Sequence, residues 1–422
     1  MKNLILYSVL IGTAVCHGAN VTEWRGPGRT GIYDEKNLLK EWPAEGPKLL
    51  WSIDNLGEGY ASIIVVDGKF YTTGNGTGEN DGKELLYALD KDGKQLWSVV
   101  IGSIYAGDDR FKFSRSAPTF ADGKLYVVSG GGDAACVTLD GKVAWKVDVP
   151  GELGGQVGRW GWSASPLVVD GKVIFTIASK DGVMVAFDAE TGKKVWLSGA
   201  LDGPAGYVSP KLVEKNGKKQ VLGMNEQFIF GIDPATGKIE WSDGLVQLKT
   251  FAPGGHDRMR INIVCVTPIL VDDMVVSSSG YEIGSYGFKV NDTLTEGKMA
   301  WLNREIDVHH GGIVVADGAM WGTGTQNVFG AMDVKTGKTF ATEAWGGVRG
   351  GAAIIAADGM IYAYNEKGDM ALFEMNKDKI VKKSEFPITK GTQQHWAHPV
   401  ISDGVLYVRR GNALMAYDVR AK

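Results

Sequence analysis

Eight times along the chain a short apolar run ends in Asp-Gly or a close variant and is followed at once by a second run. The copies are "IIVVDGKFY", "PTFADGKLY", "PLVVDGKVI", "PKLVEKNGKKQ", "PILVDDMVV", "IVVADGAMW", "IIAADGMIY" and "PVISDGVLY". Asp-Gly between two apolar runs is a two-residue hairpin signal, because both turn positions need a positive φ. The copies recur roughly every 41 to 56 residues, the period of a four-stranded propeller blade. A second marker follows in most of them: "ALDKDGKQLW", "TLDGKVAW", "AFDAETGKKVW", "GIDPATGKIEW", "TEGKMAW" and "AMDVKTGKTF". Each unit therefore reads as four antiparallel strands, here A to D, with the Asp-Gly turn between A and B. The expected fold is all-β: one eight-bladed propeller of four-stranded blades.

The last unit supplies A to C and then stops. "GPKLLWSIDNL", near the start, carries the D pattern, so it is expected to pair with the C-terminal strands and close the ring, which removes free sheet edges. The expected organisation is a signal segment at 1–19, an arm at 20–47 and the propeller at 48–422. The arm is expected to lie across the propeller, anchored by Trp24 and Trp42, since a segment so short cannot bury a core of its own.

The first twenty residues, "MKNLILYSVLIGTAVCHGAN", combine one lysine, about a dozen apolar residues and then small ones, which reads as a secretory signal. The protein is thus expected in the periplasm or outside the cell. Val15 before Cys16 argues against lipoprotein processing. No later stretch is apolar for long enough to form a transmembrane anchor. A formal charge of −4 gives no general attraction to nucleic acid. Cys136 and Cys265 do not make a disulfide scaffold and read as small buried hydrophobes. Trp97, Trp145, Trp196, Trp241 and Trp301 share one place in the repeat and read as packing between blades. The Asp of each D-x-x-T-G-K turn reads as a cap on its own backbone, not a calcium ligand.

These motifs resemble the pyrroloquinoline-quinone-repeat propellers, a superfamily holding quinoprotein alcohol dehydrogenases and the outer-membrane assembly propeller lipoprotein. "EWRGPGRTGIY", "HHGGIVVADG" and "HWAHPVISDG" further resemble a group of exported bacterial quinone-repeat propellers. The resemblance covers almost the whole chain after the signal. It implies the propeller fold, and it leaves activity open.

Strand direction alternates, so D–A and B–C connections share one rim. All five histidines beyond the signal, His256, His309, His310, His395 and His398, fall in D–A connections. So do Arg110, Arg115, Arg159, Arg258, Arg260 and Arg349, with Trp160, Trp162, Tyr207 and Trp396 among them. Guanidinium forks beside aromatic faces suit a small polar, anionic ligand. His309, His310, His395 and His398 are the candidate catalytic groups; Arg115, Arg159, Trp162, His256, Arg258, Arg349 and Trp396 are the candidate cofactor contacts.

Three functions follow. The resemblance implies a quinoprotein-like oxidoreductase acting on an alcohol or sugar, with pyrroloquinoline quinone and calcium. An adjacent Cys-Cys pair is missing, and the calcium ligands of that family map onto no residue here. The histidines alone would serve a general acid/base or transition-metal enzyme, with Gln394, His395, His398 and His309 or His310 converging and arginines holding an acidic saccharide. The third is a monomeric envelope scaffold that binds a protein partner without chemistry.

Overall fold

A computed structural model describes residues 20–107, 110–156, 158–245, 248, 263–348 and 351–421. Eight four-stranded antiparallel sheets follow one another around a ring. Blade one runs from Ile64 to Ser103, blade two from Thr119 to Asp148, blade three from Leu167 to Leu197 and blade four from Lys211 to Gly244. Blade five spans Ile269–Asn303, blade six Val314–Val348 and blade seven Ala352–Pro387. The eighth joins Val400–Ser402, Val405–Arg410 and Ala413–Asp418 to Lys48–Ile53, which pairs antiparallel with Ala413–Asp418. The ring closes as the repeat pattern requires.

The hairpins explain the repeat. Asp67, Asp122, Asp170, Asn216, Asp272, Asp317, Asp358 and Asp403 all sit at φ between 47° and 55°. The glycine that follows seven of them is also at positive φ, the geometry of a turn whose twist matches its strands. The fifth turn alone has Asp273 in that place.

The strand-D tryptophans lock neighbours together. Trp145 Nε1 donates to Ala189 O of the next blade at 2.9 Å, Trp196 Nε1 to Pro234 O at 3.1 Å and Trp301 Nε1 to Val334 O at 2.9 Å. Each indole also covers a glycine of the next blade's C–D turn: a Cβ at Gly192 would meet Trp145 at 2.7 Å and one at Gly337 would meet Trp301 at 2.4 Å. Those glycines are therefore required for close approach as well as for their backbone angles. The Asp of that turn caps its own loop, Asp188 accepting from the Thr191 amide at 2.9 Å and from its hydroxyl at 2.7 Å.

The arm enters the central channel. Val21 bridges Val65 of blade one, the Phe120 amide of blade two donates to Thr22 O at 2.7 Å, and Ile32–Tyr33 adds a parallel strand to blade seven. Between these points "WRGPGR" crosses the ring with Arg25 and Arg29 buried. Further on, Trp42 packs against Tyr362 and Phe386.

The two arginines tie opposite sides of the ring. Arg29 donates to Ser165 O (3.0 Å), Pro210 O (2.6 Å) and Pro166 O, and pairs with Glu23 (2.9 Å). Arg25 donates to Ile354 O at 3.1 Å and to Ile313 O. Innermost strands have no further strand to pair with on the channel side, so their carbonyls need donors, and a guanidinium has five.

Candidate functional site

Above this plug the D–A and B–C loops enclose a cavity of about 330 Å³. Its wall is largely aromatic: Trp24, Tyr60, Phe111, Trp160, Tyr207, Tyr281 and Trp396. These come from the arm, five D–A loops and one B–C loop, so no single blade builds the site. Trp396 is central to the packing, with ring centroids 4.7 Å from Tyr60, 5.4 Å from Phe111 and 5.4 Å from His310. Trp24 forms the bottom and meets His398 edge-on at 5.2 Å.

Of the four candidate catalytic histidines, three reach the cavity. His310 Nε2 lies 2.8 Å from Glu366 Oε1, which also accepts from Trp396 Nε1 at 2.7 Å. Burial pushes the Glu366 carboxyl up, but the His310 bond and charge and the Trp396 bond outweigh it and hold it below the usual range. His310 Nδ1 has no partner among the described residues. His309 packs 4.6 Å from Tyr281 and 5.0 Å from His310, and neither of its ring nitrogens has a partner among the described residues. Burial, then the neighbouring His310, lower its pKa well below the ordinary imidazole value.

His398 lines the floor with both nitrogens engaged. Arg25 Nη1 lies 3.0 Å from Nδ1, and Nε2 lies 3.2 Å from His310 O. Arginine only donates, so Nδ1 accepts and the proton sits on Nε2. Burial, with Arg25 next, keeps this imidazole neutral, far below its usual pKa. It holds the floor together and has no free lone pair for a ligand.

His395 lies apart from the cavity wall. Its Nδ1 is 2.5 Å from the Tyr364 hydroxyl, and a Cβ at Gly368 would touch the ring at 2.6 Å. Burial, then Arg410, lower its pKa to about 4. The loop before Val400 turns this side chain into blade seven and its neighbour Trp396 toward the funnel.

Arg115 and Trp396 are the candidate cofactor contacts found on the wall. Arg115 donates to Phe111 O at 2.7 Å and Phe113 O at 3.0 Å and lies 5.2 Å from the Tyr60 ring centroid. No carboxylate among the described residues forms an ion pair with it, and burial lowers its pKa. Arg159 is exposed and rests on Trp160 at 5.1 Å, outside the wall. Trp162 is buried between blades two and three beside Pro150 and Gly132, facing the core. His256, Arg258 and Arg349, with Arg260, lie outside the described residues.

Reading D–A loops alone misses Glu366 and Tyr281. Both sit in B–C turns, of blades seven and five, which share the rim by strand alternation. The acidic residue of "NEKGD" does not set it apart, since the B–C turns of blades four and five carry Glu226 and Glu282, so the sequence offered no distinct signal for Glu366. Tyr60, Phe111, Ser163 and Cys265 also line the cavity. The Cys265 thiol is pushed up to about 12 by burial and is not a nucleophile at neutral pH.

A quinone with calcium is a partial fit. The aromatic wall and Arg115 suit a planar anion. Calcium takes 6–8 oxygen ligands, whereas among the described residues the wall offers one carboxylate, Glu366, already bonded twice. No group of three or more His, Cys, Asp or Glu among the described residues is placed to hold a metal.

The fold has wide structural kin. BamB of Moraxella catarrhalis superposes with TM-score 0.60 at 16% identity, covering 89% of this chain and 98% of its own. The quinohemoprotein alcohol dehydrogenase of Comamonas testosteroni gives 0.67 at 13%, covering 96% and 81%. A europium-containing methanol dehydrogenase gives 0.62 at 12%, covering 93% and 90%. At such identities the likeness is one of fold. No curated protein matches the sequence. No helix among the described residues is long and apolar enough to cross a membrane. The model of the quinone-repeat family described as outer membrane protein assembly factor BamB matches residues 82–343, more than half of the chain, and the chain belongs to that family.

Proposed function

We infer that the cup binds a small anionic molecule with a flat or ring-shaped apolar face, and that the Glu366–His310 pair is the group on its wall able to move a proton. The observation that carries this is the cavity itself: aromatic on most sides, backed by two guanidiniums, Arg25 and Arg115, that have no carboxylate partner among the described residues. Buried charge acts through low dielectric, so the potential in such a cup favours anions. A volume of about 330 Å³ stands near the lower end of ligand pockets, roughly 300–1,000 Å³, which limits the ligand to a few rings. His310, with Nε2 on Glu366, keeps Nδ1 as the acceptor; on accepting a proton there it becomes an imidazolium that Glu366 stabilises.

The test is tryptophan-fluorescence titration with pyrroloquinoline quinone, with and without calcium, and with D-glucuronate, using D-glucose as the neutral control. Saturable binding of either anion, absent with glucose and weakened in Arg115→Gln, is expected. If neither anion binds up to millimolar concentration, the reading fails. Calcium-dependent quinone binding would return the oxidoreductase function to first place.

A scaffold in the envelope is the second reading, supported by the family match and by the outer strands. Leu49, Leu50, Leu96, Val143 and Val195 stand exposed on blades eight, one, two and three in succession. Photo-crosslinkers at Leu96 and Val195 in cells should then trap one protein partner, and a crosslinker at Lys338 should not. Export, read from 1–19, is tested by N-terminal sequencing of the mature protein, expected to begin near Asn20.

A further inference from the structure

We propose that the arm is a working part of the binding site, with Trp24 as the residue that sets the depth of the cup and hence which ligand fits; this rests on the cup being a ligand site. Four observations support it. An eight-bladed ring has an axial channel, and here "WRGPGR" fills it, with Arg29 bonded to blades three and four and Arg25 to blades six and seven. Among the described residues the cavity is thus bounded by the arm on one side and by D–A and B–C loops on the others.

The floor of that cup is the Trp24 indole, the arm's own contribution to the lining. It is not free to swing. Its ring stands at 82° to His398, and the Arg25 guanidinium lies 5.7 Å from its centroid. Arg25 in turn fixes His398 at Nδ1, and His398 reaches the His310 carbonyl. A continuous set of contacts thus runs from the arm to the Glu366–His310 pair. Gly312 and Gly31 allow this closeness: a Cβ at Gly312 would meet Arg25 Nη1 at 2.0 Å, and one at Gly31 would meet Arg25 Nη2 at 2.3 Å.

An indole held this way gives a ring-shaped ligand a flat face to lie on or an edge to abut, and aromatic contacts of this kind are specific in geometry as well as apolar. Its removal deepens the cup by the space of two fused rings. A ligand sized to the wild-type cavity then loses one wall and gains a void beneath it, while a longer one gains room.

The experiment compares wild type, Trp24→Phe and Trp24→Ala by equilibrium dialysis with pyrroloquinoline quinone and D-glucuronate, alongside thermal melting of each. The expected result is a loss of at least ten-fold in affinity for the better-binding probe in Trp24→Ala, with most of it restored in Trp24→Phe. Melting within a few degrees of wild type is expected for both, because the two arginines, not the indole, hold the arm. Equal affinity in wild type and Trp24→Ala overturns the proposal and leaves the cup as a ligand site. Failure of wild type to bind either probe overturns the ligand site, and this proposal with it. If Trp24→Ala unfolds, Trp24→Leu, which keeps an apolar side chain but no ring, decides in its place: unchanged affinity for both probes would refute a depth-setting role, and a loss of at least three-fold would support it.

Discussion

Replacing Arg29 by methionine keeps the length of the side chain and its left-handed backbone position (φ 58°) but removes all of this guanidinium's donors. Arg29 is 1% exposed and reaches Ser165 O, Pro166 O and Pro210 O. Pro166 O keeps a partner, because the Thr119 hydroxyl donates to it at 2.7 Å. Two carbonyls are then orphaned, at about 1–3 kcal/mol each where water cannot reach them, so the cost is roughly 4 kcal/mol. Relief from burying a charge offsets part of this, and the loss of Glu23's partner adds to it. With an unfolding entropy of about 2.1 cal/mol/K per residue over roughly 400 residues, 4 kcal/mol corresponds to a fall of about 5 °C in melting temperature. Scanning calorimetry measures it, and hydrogen exchange at Val21, whose amide is bonded to Val65 O, reports arm release. Arg29→Lys is expected to recover only part, since an ammonium has no fork. A shift below about 1 °C, or faster exchange at Val21 without any loss of stability, would refute the claim that this guanidinium ties the ring.

Deleting residues 20–53 removes both the plug and the strand that pairs with Ala413–Asp418, so the truncated protein should aggregate on size exclusion; a soluble monomer with unchanged melting would contradict closure. His395 and His398 both have folded pKa values below the ordinary imidazole value, so their contribution to stability is complete above about pH 6.5 and is lost as pH falls through the folded values. Melting temperature should therefore decline on acidification from about pH 6.5 toward 4, and His395→Gln should flatten that slope; a parallel slope would assign the decline elsewhere. Glu366 is also depressed, so its share persists above the unfolded carboxyl value near 4.3 and disappears below it; the melting gap between wild type and Glu366→Gln should close as pH drops under about 4. Gly311→Ala places a Cβ 1.8 Å from Ala352 O and should destabilise by more than about 2 kcal/mol in urea titration, whereas Gly199→Ala, whose nearest neighbour stands at 3.4 Å, should cost under about 1 kcal/mol.

The ring was legible from the sequence because its determinants are local. An Asp-Gly turn needs positive φ within two residues, a hairpin follows from two flanking runs, and eight copies at one period leave one architecture that buries them all. The tryptophan positions were legible for the same reason, each packing against an equivalent place on the next copy. So was closure, because a missing D strand at one end and a spare one at the other have a single pairing that removes both edges.

What the tertiary structure decided is which side chains meet at the axis. "HWAH" gives no reason for Trp396 to face the funnel, His395 to turn into Tyr364 and His398 to bind an arginine from the other end of the chain. Glu366 is 56 residues from its partner His310 and sits in a different kind of loop, so spacing could not join them. Trp162 and Trp160 stand two residues apart yet face the core and the cavity, because the backbone between them bends at Gly161, at φ 85°. Above all, "WRGPGR" carries no repeat marker, and nothing in it tells that its arginines meet the carbonyls of innermost strands around one axis. Periodicity specifies the blades; the contents of the hole between them depend on long-range contacts that no local pattern encodes.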